Sequence, residues 1–159
     1  MELSLGQVLT LFGAALAAIL AGIGSSKGVG LAGETAAGVS TENPEVNSKL
    51  LILQLLPGTQ GIYGFLIAVI ILINTGVLTG GMKEVTVLQG LAFVAGALPV
   101  GIVGLYSAIR QGRVAASGML MTGQRPDMSG KAITMAVMVE TYAVLALLAS
   151  FLIANSIKL

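Results

Sequence analysis

Four stretches of the 159-residue chain are dominated by apolar and small residues: Leu3–Gly24, Leu50–Leu78, Val85–Ile109 and Ala132–Ile157. Each meets the roughly 20 residues that an α-helix needs to cross the hydrocarbon core of a bilayer. Polar residues gather between them. Ser40–Lys49 contains Asn43-Pro44, and Thr122–Lys131 contains Arg125-Pro126. Proline lacks the N–H that would continue a helix, so both stretches fit helix–helix turns. The connection Thr79–Glu84 is short and Gly-rich. The pattern predicts an all-α membrane protein of four transmembrane helices in two tandem hairpins. The first covers residues 1–78, a connecting loop covers 79–84, and the second covers 85–159. An acid, Glu2, precedes the apolar run Leu9–Ile23, no Lys or Arg does, and no cleavage pattern follows it. The run therefore reads as a retained helix rather than a leader.

The second half repeats the first without a gap when the sequence is shifted by 82 residues. Glu2 then meets Glu84, Gln7 meets Gln89, Gly22 meets Gly104, and Ser25 meets Ser107. Pro44 meets Pro126, Lys49 meets Lys131, and Thr59 meets Thr141. Such matches at Gly, Pro and polar positions point to a duplicated hairpin in parallel arrangement. An even number of helices per copy gives both copies the same orientation. Lys27, Lys49, Arg110, Arg113, Arg125 and Lys131 lie at or near the two hairpin turns, and only Lys83 and Lys158 lie toward the other side. The positive-inside bias predicts cytoplasmic turns and both termini outside.

The first and third segments are rich in glycine, which permits close helix packing in lipid. Two readings are open: an intramolecular bundle, or a ring whose inner wall is built from segments one and three. In the second, segments two and four face membrane lipid.

Composition narrows the functions. Residues are 55% hydrophobic and 9% charged, where soluble domains carry about 25% charged. A net charge of +1 argues against a nucleic-acid partner. The chain has no Cys and no His, which removes thiolate sites, the commonest transition-metal ligand and the usual near-neutral base. A bound metal would be hard and oxygen-ligated.

One residue stands out. Glu140 is the only charged side chain in Ile133–Ile153, and an acid at membrane depth is a functional-site hypothesis by default. Gln111 lies about fourteen residues before the Arg125-Pro126 turn and Glu140 about fourteen after it, so both rise roughly 20 Å from the turn. Thr59 and Gln60 stand at a similar height past Pro44. Leu56, Thr59, Gln60 and Tyr63 share one helical face by their i, i+3, i+4, i+7 spacing. Pro57 disturbs the helix there, which makes the Leu56 carbonyl a candidate ligand. A carboxylate, a hydroxyl, two amide oxygens and a carbonyl suit a small dehydrated cation, and Tyr63 can hold the carboxylate. A proton needs only the acid, so the surplus oxygens argue for Na⁺. In the repeat, Glu140 falls opposite Gly58, which leaves one acid for four helices.

The run Leu56-Pro57-Gly58-Thr59-Gln60-Gly61-Ile62-Tyr63-Gly64, with Arg110-Gln111-Gly112 and Val139-Glu140-Thr141-Tyr142, resembles the sodium-translocating V-type ATPase proteolipids. The likeness spans essentially the whole chain. It implies a non-catalytic rotor-ring subunit, the c or K subunit, in the cell membrane. It implies Leu56, Thr59, Gln60, Gln111 and Glu140 as Na⁺ ligands, with Tyr63 steadying the carboxylate. It also implies a homo-oligomeric ring, a stator a/I subunit, a central-shaft d/C subunit and a soluble ATP-hydrolysing head. Two other readings remain: a proton-carrying proteolipid of the same architecture, and a small four-helix drug/proton antiporter.

Overall fold

The computed structural model describes residues 3–159; Glu2, which enters the repeat and the leader argument, lies outside the described residues. Among the described residues four helices are long and apolar enough to cross a membrane: α1 (Leu5–Glu42), α2 (Pro44–Asn74), α3 (Val87–Gln124) and α4 (Pro126–Ser156).

The duplication is visible in how the helices begin and end. Ser4 opens α1 with a capping box, accepting from the Gln7 N–H while the Gln7 side chain accepts from the Ser4 N–H. Thr86 and Gln89 repeat this at the start of α3. Each box satisfies two backbone donors that a helix start otherwise leaves open. The same glutamines then tie together the end of the bundle opposite the hairpin turns. Gln7 Nε2 donates to the Lys83 carbonyl (3.0 Å) and Gln89 Nε2 to the Lys158 carbonyl (2.8 Å). At the other end, Asn43 and Arg125 share one backbone conformation, φ −137° and −136° with ψ 84° in both. Pro44 and Pro126 follow and start the return helices with a 3₁₀ turn.

Helices α1 and α3 extend well past the apolar runs that announce them. Nothing breaks either helix before Asn43 or Arg125, and Gly28, Ala32, Ala36 and Val39 continue the buried face of α1. Helix α2 stops earlier than its apolar run, at Asn74. Gly76 takes φ +81° and Gly80 φ +99° in the turn that follows, a region open mainly to glycine.

Helices α1 and α3 run against each other at glycine distance. A Cβ on Gly24 would lie 2.6 Å from Leu105 Cα, and one on Gly112 would lie 2.5 Å from Gly28 Cα. Helix α1 also packs on α2, α4 packs on α3 and α2, and α1 and α4 barely meet. Much of the Gly-rich face is thus used within one chain. Large apolar side chains remain exposed on the outer faces, among them Leu55, Ile62 and Phe65 of α2 and Met138, Tyr142 and Leu145 of α4.

The core divides into two apolar clusters. One, near the hairpin turns, holds Leu50, Leu53, Ala115, Met119 and Ala132. The other holds Ile67, Ile71, Phe93, Ala97 and Val100. Between them lies a buried polar layer of Ser25, Gln60, Ser107 and Gln111. Pro99 sits inside α3 without ending it. Residues Pro99–Val103 form a π turn, and the Val100 N–H donates to Ser150 Oγ of α4 (3.0 Å). A proline in a membrane helix is tolerated when the freed backbone groups find partners in this way.

Candidate ion-binding site

The polar layer is assembled by three helices. Pro57 replaces one turn of α2 with the 3₁₀ segment Leu56–Gly58. The Thr59 hydroxyl donates its one proton to the Leu56 carbonyl (2.9 Å), and Gln60 Oε1 lies 3.4 Å from the same oxygen. Gln60 then crosses to α3, its Nε2 donating to Gln111 Oε1 at 2.6 Å. Gln111 crosses to α4, its Nε2 donating to the Ala136 carbonyl (3.1 Å) and to Glu140 Oε2 (3.3 Å). The other carboxylate oxygen, Glu140 Oε1, accepts from the Tyr63 hydroxyl at 2.5 Å. Gln60, Gln111, Glu140 and Tyr63 thus stand in one unbroken chain of hydrogen bonds, and the Leu56–Thr59 pair lies at its end, which brings together all six residues singled out in the sequence.

Burial grades along the chain. Gln60 and Gln111 have no exposed surface. Thr59, Tyr63 and Glu140 are half-buried. Glu140 borders an apolar groove lined by Val137, Thr141, Val144 and Leu145. Among the described residues the one side-chain ion pair is Arg125–Asp127, at 3.0 Å on the exposed turn. Arg110 and Arg113 therefore do not neutralise Glu140. The acid is supported by two neutral donors, which orient a carboxylate without cancelling its charge. Such a group favours one monovalent cation or a proton as its partner. No buried side-chain nitrogen or oxygen among the described residues lacks a hydrogen-bond partner, so the layer is internally complete.

Two serines take part that the sequence flags only as a repeat match. Ser25 Oγ accepts from the Gly61 N–H (2.7 Å). Ser107 Oγ donates to the Val139 carbonyl (3.1 Å) and accepts from Gln60 Nε2 (3.3 Å). Their pairing across an 82-residue shift in an apolar region was the signal that could have found them.

The first hairpin lacks a second copy of the site. Under the same shift Gln111 corresponds to Val29 and Glu140 to Gly58. A Cβ on Gly58 would meet Val29 Cγ2 at 3.5 Å. Where α3 and α4 exchange a hydrogen bond, α1 and α2 make apolar contact.

Comparison with known proteins agrees with the duplicated architecture. The family model for the C subunit of ATP synthase matches twice, at residues 12–71 and 94–153. The chain is 48% identical over 148 residues to the V-type sodium ATPase subunit K of Enterococcus hirae, covering 93% of this chain and 91% of the relative. It is 40% identical over 148 residues to the A-type ATP synthase subunit K of Methanocaldococcus jannaschii, covering 93% of this chain and 64% of the relative. It is 30% identical over 117 residues to the 16 kDa proteolipid of the V-type proton ATPase of Nephrops norvegicus, covering 72% and 69%. Family matches that fall on both hairpins, with relatives aligned over most of the chain, establish that this protein belongs to the family of the ATP synthase C subunit.

Proposed function

We propose that the chain is a rotor-ring proteolipid of a rotary V-type ATPase and that Glu140 carries one Na⁺ across the membrane during ATP-driven rotation. The observation that carries this reading is the joined set Leu56, Thr59, Gln60, Gln111 and Glu140, steadied by Tyr63, between two apolar layers of membrane helices. The 48% identity to a V-type sodium ATPase subunit K supports the same cargo. The chain has no part in ATP hydrolysis, which belongs to a soluble head.

In this reading copies of the chain close into a homo-oligomeric ring of duplicated hairpins, residues 1–78 and 85–159 joined by 79–84. Helices α1 and α3 line the inside, and α2 and α4 face lipid. The turns at Asn43-Pro44 and Arg125-Pro126 face the cytoplasm and contact the central-shaft d/C subunit. Oxygens of the five ligands replace the water shell of the ion, and Glu140 supplies the neutralising charge. At the stator a/I subunit a fixed cationic side chain pairs with Glu140 and releases the ion into an exit half-channel. Rotation brings the acid to a second half-channel for reloading. A bare carboxylate is costly against lipid, so a subunit without its ion resists leaving the stator. That cost couples rotation to transport. One acid for four helices means fewer ions per turn than a single-hairpin ring of equal circumference, a gearing suited to pumping.

The test is reaction of the purified ring with dicyclohexylcarbodiimide, which attacks protonated carboxyls in apolar surroundings, with and without Na⁺. Labelling of Glu140 that Na⁺ suppresses is the expected result. Labelling indifferent to Na⁺ would move the cargo to protons, as the name of the Nephrops norvegicus relative says of that protein. Absence of labelling would overturn the assignment of Glu140.

A further inference from the structure

Ser25 and Ser107 occupy equivalent places in the two repeats, yet they do different work. Ser25 hydrogen-bonds the backbone of α2, through the Gly61 N–H. Ser107 touches a side chain of the site, Gln60, and the backbone of the residue before Glu140. We propose that Ser107 is a positioning residue for the cation site, acting with Gln111 to fix which end of the Gln60 amide is offered to the ion. The inference rests on the sodium-site reading above.

The argument follows from counting protons. A hydroxyl has one proton and two lone pairs, and a carbonyl can only accept. The Val139 carbonyl at 3.1 Å therefore takes the Ser107 proton, and what Ser107 presents to Gln60 at 3.3 Å is a lone pair. Gln60 must turn its NH₂ toward Ser107. The same nitrogen donates to Gln111 Oε1 at 2.6 Å, so both of its hydrogens are engaged. Gln60 Oε1 is left on the other side, next to the Thr59 hydroxyl and the Leu56 carbonyl it joins. An oxygen there attracts a cation, and an NH₂ there repels one. Reversing the amide would set its oxygen against two acceptors, in a place where Gln60 and Gln111 have no exposed surface. Buried acceptor pairs without a donor are costly.

Gln111 is anchored from the opposite end, by the Ala136 carbonyl and by Glu140. The two anchors differ in kind. The bond to Glu140 changes whenever the carboxylate exchanges its ion, whereas the bonds to the helix carbonyls of Ala136 and, through Ser107, of Val139 do not. Ser107 thus keeps Gln60 ready for reloading while Glu140 is engaged elsewhere.

The experiment measures the Na⁺ dependence of ATP hydrolysis by the reconstituted whole ATPase. Ser107→Ala is expected to raise the half-saturating Na⁺ concentration about three- to tenfold, the scale of one net hydrogen bond, with the maximal rate retained at saturating Na⁺. Ser107→Thr keeps the hydroxyl at a position that borders the open groove lined by Ile102, Val103, Tyr106 and Val139. It should return the half-saturation toward wild type. A half-saturation unchanged in Ser107→Ala, a fall in maximal rate alone, or no rescue by Thr would overturn the proposal. If Ser107→Ala rings fail to assemble, Ser107→Cys carries the same test. It fills the volume with a weak acceptor, and its half-saturation must still rise. A wild-type enzyme indifferent to Na⁺ would remove the sodium reading itself. A Na⁺-dependent wild type with unchanged Ser107 variants would remove only this inference.

Discussion

Replacing Tyr63 by Phe deletes one hydroxyl and leaves the ring where it is. That hydroxyl donates to Glu140 Oε1 and is one of two neutral donors that hold the carboxylate, the other being Gln111 Nε2. A hydrogen bond to an ionised partner contributes about 1.5–3 kcal/mol. Both side chains are half-buried in the single subunit, so solvent replaces part of the loss and the lower half of that range applies. A change of about 1.5–2 kcal/mol corresponds to roughly a 10- to 30-fold weaker hold on the ion. The assay is Na⁺-dependent ATP hydrolysis by the reconstituted enzyme, checked by the Na⁺ concentration that protects Glu140 from carbodiimide. Both half-saturation values should move together, because the ion must be bound by a carboxylate that is free to swing. The maximal rate should survive, because Tyr63 is not itself a ligand in this scheme. A shift of less than about twofold would refute the idea that Tyr63 steadies the carboxylate.

Glu140→Gln removes the only charge in the layer but keeps its shape, so it should abolish Na⁺ transport while rings still assemble on a denaturing gel; continued pumping would end the assignment. Gly112→Ala places a methyl against Gly28 Cα and should destabilise the α1–α3 contact by about 1–3 kcal/mol, the usual cost of overpacking. Gly38→Ala, with nothing within 4 Å of the added atom, should match wild type in the same thermal-dissociation measurement. Ser150→Ala strips the acceptor from the Val100 N–H. An unpaired buried donor costs about 1–3 kcal/mol, so ring stability should fall while the half-saturation for Na⁺ stays put.

Much of the candidate site was legible in the sequence, for particular reasons. Gln111 and Glu140 lie equally far from one turn, and helix rise per residue is nearly constant, so equal counts imply equal height. Leu56, Thr59, Gln60 and Tyr63 repeat at helical spacing, so they share a face. Ser107 and Ser25 escaped because a serine in a Gly-rich helix has no depth signature and often bonds only its own helix. The length of α1 escaped too. Apolar content reports membrane crossing, and a stretch of mixed small and polar residues reports neither helix nor loop; in the structure Ser25 through Glu42 remains helical.

What the sequence determined by itself was the class and the repeat, and it singled out Glu140 as the candidate acid. Those depend on chain-local quantities: hydropathy over a helix length, an 82-residue self-match, and the cost of a charge in lipid. Only the tertiary structure decided how the polar groups connect. Local periodicity says that Gln60 and Gln111 lie at one height, yet the direction of each amide depends on what faces it. The Ala136 carbonyl directs the Gln111 nitrogen, and Gln111 Oε1 together with the Ser107 lone pair faces the Gln60 nitrogen. The tertiary packing also decided that Arg110 and Arg113 leave Glu140 unpaired. That outcome depends on which face of α3 meets α4, set by glycine contacts with α1 on one side and by the Pro99 turn resting on Ser150 on the other.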